Sequence, residues 1–177
     1  MRCILSLTLA GAFALITTTT AIAATPAAAT VAPDTVVIAE RLQKALATNY
    51  GSEEGAVLQR TVADSLARAM QHAGLTARAD LRLEVLLSDA RPSHPTRHQL
   101  SANPALDFVR SKSLGGATLS AVLRDANGKE LERVSFDRYA TMLSEVSPAL
   151  EAWADACLAI DRFADEVVKA YRRHPSV

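Results

Sequence analysis

His94 and His98 stand four residues apart in ARPSHPTRHQLSANPALDFVRSK, residues 90–112. Two imidazoles at that spacing can share one metal ion when a helix carries both. Pro95 works against a regular helix starting at His94, because proline removes a backbone donor and crowds the preceding turn. The further ligand types nearby are Asp89 and Asp107. Zinc sites are built from three or four ligands, so no metal site is expected here. Nucleophilic chemistry is no better marked. Serines and aspartates are plentiful, but no serine sits in a nucleophile elbow and no glycine-rich phosphate loop precedes a helix. No catalytic residue and no cofactor are therefore expected, and a non-enzyme is favoured. The alternative is a small secreted hydrolase whose site is dispersed over loops, with His94, His98 and Asp107 converging on a pocket.

The same stretch carries Arg91, Arg97, Arg110 and Lys112 against one acid, Asp107, so it is locally basic. Pro92, Pro95 and Pro104 limit its conformations, and Leu100, Leu106 and Phe108 predict that part of it packs down. Connections of this length without structure of their own tend to be functional or disordered. The residues expected to meet a partner are Arg91, His94, Arg97, His98 and Arg110.

The address is written at the start of the chain. Met1-Arg2 gives a positive beginning, residues 4–16 are apolar and uncharged, and Ala21-Ile22-Ala23 offers small residues where a signal peptidase reads. The apolar run is shorter than the ~20 residues that span a bilayer. A signal peptide over 1–23, cleavage near Ala23 and a periplasmic or secreted product are expected, with no stable membrane anchor after cleavage. Residues 24–33, ATPAAATVAP, are uncharged and low in complexity and read as a disordered tether. Cys3 falls inside the signal segment, which leaves Cys157 without an intramolecular disulfide partner and predicts a buried thiol acting as a small hydrophobe. Nineteen basic residues balance nineteen acidic ones, which argues against nucleic acid and against polybasic membrane binding.

Residues 34–177 are expected to hold these groups on a single domain. Residues 34–39 read as a buried strand, with a helix from Asp34 to Leu46 as the alternative. A helix over 53–73 starts at Ser52 with Glu53 and Glu54 at its positive end, buries Leu58, Val62, Leu66, Met70 and Ala73, and closes on Gly74. Asp64, four residues before Arg68, is ordered for an ion pair along that helix. Leu81, Leu83, Val85 and Leu87 alternate with polar residues in a strand over 80–89. Ala117, Leu119, Ala121 and Leu123 repeat the pattern up to Asp125-Ala126-Asn127-Gly128, a hairpin turn in which Gly128 takes the positive φ. A three-residue loop pairs Arg124 with Glu130 and Leu123 with Leu131, and a bulge near Glu132-Arg133 returns Val134 and Phe136 to the apolar face. A two-residue Asn127-Gly128 loop is the other register. Ser147-Pro148 predicts the start of a long C-terminal helix whose seam runs Leu150, Trp153, Cys157, Ile160, Ala164, Val167 and Tyr171.

Arg91-Pro92-Ser93-His94-Pro95-Thr96, Gln99-Leu100 and Pro104-Ala105-Leu106 lead into Ser113-Leu114-Gly115-Gly116-Ala117 and Asp125-Ala126-Asn127-Gly128-Lys129. With Trp153 and Asp161-Arg162-Phe163-Ala164, this layout resembles uncharacterised proteobacterial envelope proteins of the domain-of-unknown-function type. Those are similar in layout to small envelope lipoproteins and to the N-terminal domain of the translocation protein TolB. The chain departs from the lipoproteins because no cysteine stands at the cleavage site. The resemblance covers residues 80–171 and implies no catalytic residue.

The fold expected is α+β (or α/β): one domain with a mixed, mainly antiparallel sheet of three to four strands and two main helices on one face. Strand 34–39, helix 53–73 and strand 80–89 would form a right-handed β-α-β unit. The function expected is that of a non-enzymatic envelope protein binding another protein or an anionic envelope component.

Overall fold

A computed structural model describes residues 35–76 and 78–174. The expected signal peptide and tether lie outside the described residues. The chain runs β1 (Thr35–Ile38), α1 (Glu40–Ala45), one π-helical turn (Leu46–Tyr50), α2 (Glu53–His72), β2 (Leu81–Arg91), α3 (Arg97–Ala102), β3 (Gly116–Asp125), β4 (Glu130–Tyr139), a short 3-10 turn and α4 (Ala154–Arg172). One sheet holds the strands in the order β1-β2-β3-β4. β1 and β2 are parallel, and the β2–β3 and β3–β4 pairs are antiparallel. The expected α+β class and mixed sheet are therefore present, and α2 with α4 forms a layer on one side.

Period-two patterning decides which side is dry. Leu83, Val85 and Leu87 of β2 face Leu123, Ala121 and Leu119 of β3, and Val134 and Phe136 of β4 extend the same rows. These side chains join Leu58, Val62, Leu66 and Met70 of α2 and Ala156, Ile160, Phe163 and Val167 of α4 in one core. Phe163, outside the seam read from the sequence, is fully buried.

Both readings of the first segment hold part of the truth. The chain is extended over Thr35–Ile38 and helical from Glu40, so a single residue, Ala39, separates the strand from the helix. Two side-chain amides close on β1: Gln43 Nε2 donates to the Ile38 carbonyl at 2.9 Å and Gln59 Nε2 to the Val36 carbonyl at 2.8 Å. The α2 boundaries match the periodicity, but Ser52 does not cap the helix with its side chain. At the other end Gly74 has φ +69°, Leu75 N donates to the Met70 carbonyl and Gly74 N to the Gln71 carbonyl, which is a Schellman closure. Arg68 turns away from Asp64 to Asp161 on α4, at 3.4 Å.

The hairpin keeps the three-residue loop. Gly128 takes φ +82°, Gly128 N donates to the Asp125 carbonyl, and Arg124 pairs with Glu130. The bulge falls one residue earlier than expected. Leu123 pairs with Glu132, so Leu131 is the extra residue. That shift turns Glu132 towards α4, where its carboxylate takes donors from Arg173 and His174.

The long helix starts later than Ser147-Pro148 predicts. Its first residue is Ala154, because the preceding segment is committed elsewhere. Ser147 N donates to Asp155 Oδ1 at 2.9 Å, and Ser93 N donates to the Ala152 carbonyl at 2.7 Å. The Ala152 carbonyl also takes His94 N at 3.3 Å, so both of its acceptor positions serve the loop and the segment is held in a non-helical path. Leu150 accordingly lies outside the helix and is exposed.

Candidate functional site

The basic segment between β2 and β3 is an ordered loop with a buried underside. Pro92, Ser93, His94, Pro95 and Thr96 are all buried. Ser93 Oγ donates to Asp155 Oδ2 at 2.8 Å and accepts from Asp155 N at 3.0 Å, with both residues buried. The Ser93 carbonyl accepts from Ser113 N at 2.9 Å, and Ser113 Oγ donates to the Pro92 carbonyl at 2.6 Å. A Cβ on Gly115 would lie 2.4 Å from Ser93 Oγ and 3.0 Å from Asp155 Oδ2, so only glycine fits over the pair. The start of the loop, its end and the first turn of α4 are thus tied in one knot.

His94 points inward. It is 1% exposed, its Nδ1 lies 2.9 Å from the Phe108 carbonyl, and its ring is tilted over Phe108 at 5.6 Å. A carbonyl accepts only, so Nδ1 donates, and Nε2 finds no partner among the described residues. His98 lies on α3 and is exposed, so the two histidines of the H-x-x-x-H spacing face different surroundings. Among the described residues no group of three or more His, Cys, Asp or Glu could hold a metal ion.

Thr96 caps α3. Its hydroxyl accepts from Gln99 N, Gln99 Oε1 accepts from Thr96 N at 3.0 Å, and the same hydroxyl donates to the Tyr50 carbonyl at 2.6 Å. The Thr96-x-x-Gln99 spacing is a capping box, a local signal that the reading of this segment as a connection without structure of its own passed over. Tyr50 in turn meets Trp153 edge-on at 5.5 Å, and the indole N–H donates to Glu54 at 2.8 Å.

The outer surface of the loop shows its charges. Arg97, His98, Arg110 and Lys112 are exposed, and none of them makes a salt bridge among the described residues. Asp107, the one acid of the loop, is occupied by its own turn, its Oδ1 accepting from Val109 N at 2.9 Å and Arg110 N at 2.7 Å. Arg91 differs from the others. It ends β2, lies 3.6 Å from Asp89 and stacks 5.0 Å from the centre of the Tyr139 ring. Tyr139 donates to Asp89 at 3.0 Å, and burial pushes its hydroxyl up to about 12. Thr118 beside it donates to Asp137 at 3.0 Å. Cys157, half-buried against the core, has its thiol pushed up to about 11 by burial, so it stays protonated and a poor nucleophile at neutral pH.

The site residues read from the sequence are thus sorted by the fold. Arg97, His98 and Arg110 are displayed, Arg91 is displayed but engaged, and His94 is turned inside. Ser93, Asp155 and Gly115, which set the loop in place, carry no motif that marks them. Their signal is three-dimensional, since Ser93 and Asp155 are 62 residues apart.

No family model matches the chain, and no curated protein does. A solved structure that it is similar to is a Xanthomonas campestris protein of the family DUF330, at 20% identity and a TM-score of 0.38. That match covers 64% of this chain and 60% of the other.

Proposed function

We propose that this chain is an exported, non-enzymatic protein of the cell envelope that binds an anionic envelope component through the loop of residues 92–115. The reading rests on one observation: the loop is anchored from beneath by Ser93, His94 and Thr96 while Arg97, His98, Arg110 and Lys112 project from it without acidic partners among the described residues. A cation on an ordered backbone gives up little conformational freedom on binding, so such a surface keeps more of its electrostatic gain. The export signal of residues 1–23 supplies the compartment in this reading.

The test is flotation of the chain from Ala24 onward with vesicles of phosphatidylglycerol and phosphatidylcholine, alongside pull-down from envelope extract. Arg97→Ala, Arg110→Ala and Lys112→Ala combined should reduce recovery roughly tenfold at low ionic strength, with the difference shrinking as salt screens the charges. Undiminished recovery of both vesicles and extract proteins by the triple variant would refute the loop's role.

A further inference from the structure

Val109, Leu114, Met142, Leu143 and Leu150 are each between 39% and 61% exposed. They make up five of the nine large apolar side chains exposed among the described residues. All five lie at one end of the molecule, where β2 and β4 finish and β3 and α4 begin. A lone exposed leucine needs no explanation, but a group of apolar side chains at one place marks an interaction site.

Backbone bonds bring the stretches that carry them together. Gly116 pairs with Tyr139, and one step further out Ala140 N donates to the Gly115 carbonyl at 2.9 Å. The stretches carrying Leu114 and Met142–Leu143 therefore leave the sheet from one point. Leu150 is held between Ser147, whose N–H donates to Asp155, and Ala152, whose carbonyl accepts from Ser93 N. Val109 follows Phe108, whose carbonyl meets His94. Each apolar side chain thus stands close along the chain to a residue bonded at the Ser93–Asp155 knot or beside it.

Cations are set between them. In Val109-Arg110-Ser111-Lys112-Ser113-Leu114 the two basic residues stand between two exposed apolar ones. The acids of the two loops, residues 92–115 and 140–153, are mostly turned back on their own backbone. Asp107 Oδ1 accepts from Val109 N and Arg110 N, and Glu145 Oε2 accepts from Thr141 N at 2.8 Å and Thr141 Oγ1 at 2.9 Å. Glu151 is left as the acid of these loops without a side-chain hydrogen bond among the described residues.

We infer that this end of the molecule docks on a lipid bilayer, with the five apolar side chains entering the acyl boundary and Arg110 and Lys112 at the level of the phosphates. The bilayer is then the anionic envelope component of the function proposed above, on which this inference rests. The side chains themselves favour a bilayer over a protein. All five are aliphatic and rise from separate turns, whereas protein interfaces centre on aromatic and arginine anchors seated in fixed pockets. Fluid acyl chains close around isolated aliphatic side chains without needing a matching shape. Long basic side chains then reach from the boundary to the headgroups, so apolar entry and attraction to anionic lipid add. Salt separates the two contributions, because ions screen the charges and leave the apolar transfer in place.

The test places a reporter at the tip. With the chain from Ala24 onward carrying Leu143→Trp, vesicles of phosphatidylglycerol and phosphatidylcholine in equal parts should shift the new emission to the blue. Bromine on the acyl chains should quench it. Trp153 is 5% exposed and donates to Glu54, so its emission stays fixed and the parent serves as the blank. Leu143→Asp combined with Leu150→Asp should lower partition onto the vesicles at least roughly tenfold, at high salt as well as low, with an unchanged melting temperature. Flotation without blue shift or quenching is a purely electrostatic contact, which overturns the inference and leaves the loop's cations as the binder. Shift and quenching undiminished when Arg97, Arg110 and Lys112 are all alanine overturn the cation reading and keep insertion through the apolar side chains. A parent that stays off the vesicles at every lipid concentration overturns the inference, even where an envelope protein is captured instead.

Discussion

A hydroxyl and a carboxylate, Ser93 and Asp155, meet at 2.8 Å with both residues buried, and the Asp155 carboxylate also takes Ser147 N at 2.9 Å. Removing the acceptor strands the buried Ser93 hydroxyl and the half-buried Ser147 N–H. Asp155→Ala should cost roughly 2–5 kcal/mol, since each buried donor left unpaired costs about 1–3 kcal/mol. Asp155→Asn keeps a carbonyl oxygen and should cost less. Gly115→Ala belongs with these variants, because its methyl would collide with Ser93 Oγ. Urea denaturation of the three variants checks the order, and Asp155→Ala within experimental error of the parent would show the knot to be dispensable.

At the scale of elements, the end of α4 is fastened to the sheet by one side chain of the bulged strand. Glu132 accepts from Arg173 and His174, and the Arg173 bonds hold its carboxyl below the usual carboxylate range. A carboxyl whose folded value is depressed contributes its stability above the unfolded value, and loses it as pH falls through the lower folded value. Glu132→Gln should therefore unfold more readily than the parent at pH 7, with the gap narrowing below about pH 4.5, the ordinary glutamate range. Denaturation midpoints from pH 7 to pH 3 decide this; a constant gap would place the effect of Glu132 in packing instead of charge. The loop 92–115 depends on the same kind of fastening, with α3 capped by Thr96 and the first turn of α4 bound to Ser93.

Among the described residues, one core runs from Ile38 through α2 and the sheet to Tyr171, without a second apolar cluster that could melt alone. Trp153, the only tryptophan of the chain, is 5% exposed, touches Tyr50 and donates to Glu54, so it joins α2 to the start of α4. Tryptophan emission and far-ultraviolet circular dichroism should report the same transition, as expected of a single cooperative domain. Separated midpoints would mean that the 147–153 segment opens before the sheet.

The sequence by itself determined the elements whose cause is local. Period-two patterning found β2 and β3, the 3.6-residue period with Gly74 found α2, and Asp125 with Gly128 found the hairpin turn, because side-chain alternation and positive φ act within a few residues. The Thr96-x-x-Gln99 box that marks α3 is equally local, although the reading of residues 90–112 as a connection without structure of its own missed it. Tertiary structure alone decided what depends on partners far along the chain. Ser147-Pro148 is a sound helix start in isolation, yet Asp155 and Ser93 take its segment into a loop, and α4 begins at Ala154. Leu131 and Glu132 exchange places because Arg173 and His174 wait 41 and 42 residues away. His94 looked like a displayed imidazole from its neighbours Arg91 and Arg97, and Phe108 turned it inside. Local propensity is summed over a few residues. Burial is settled only when distant residues arrive and compete for the same donors and the same space.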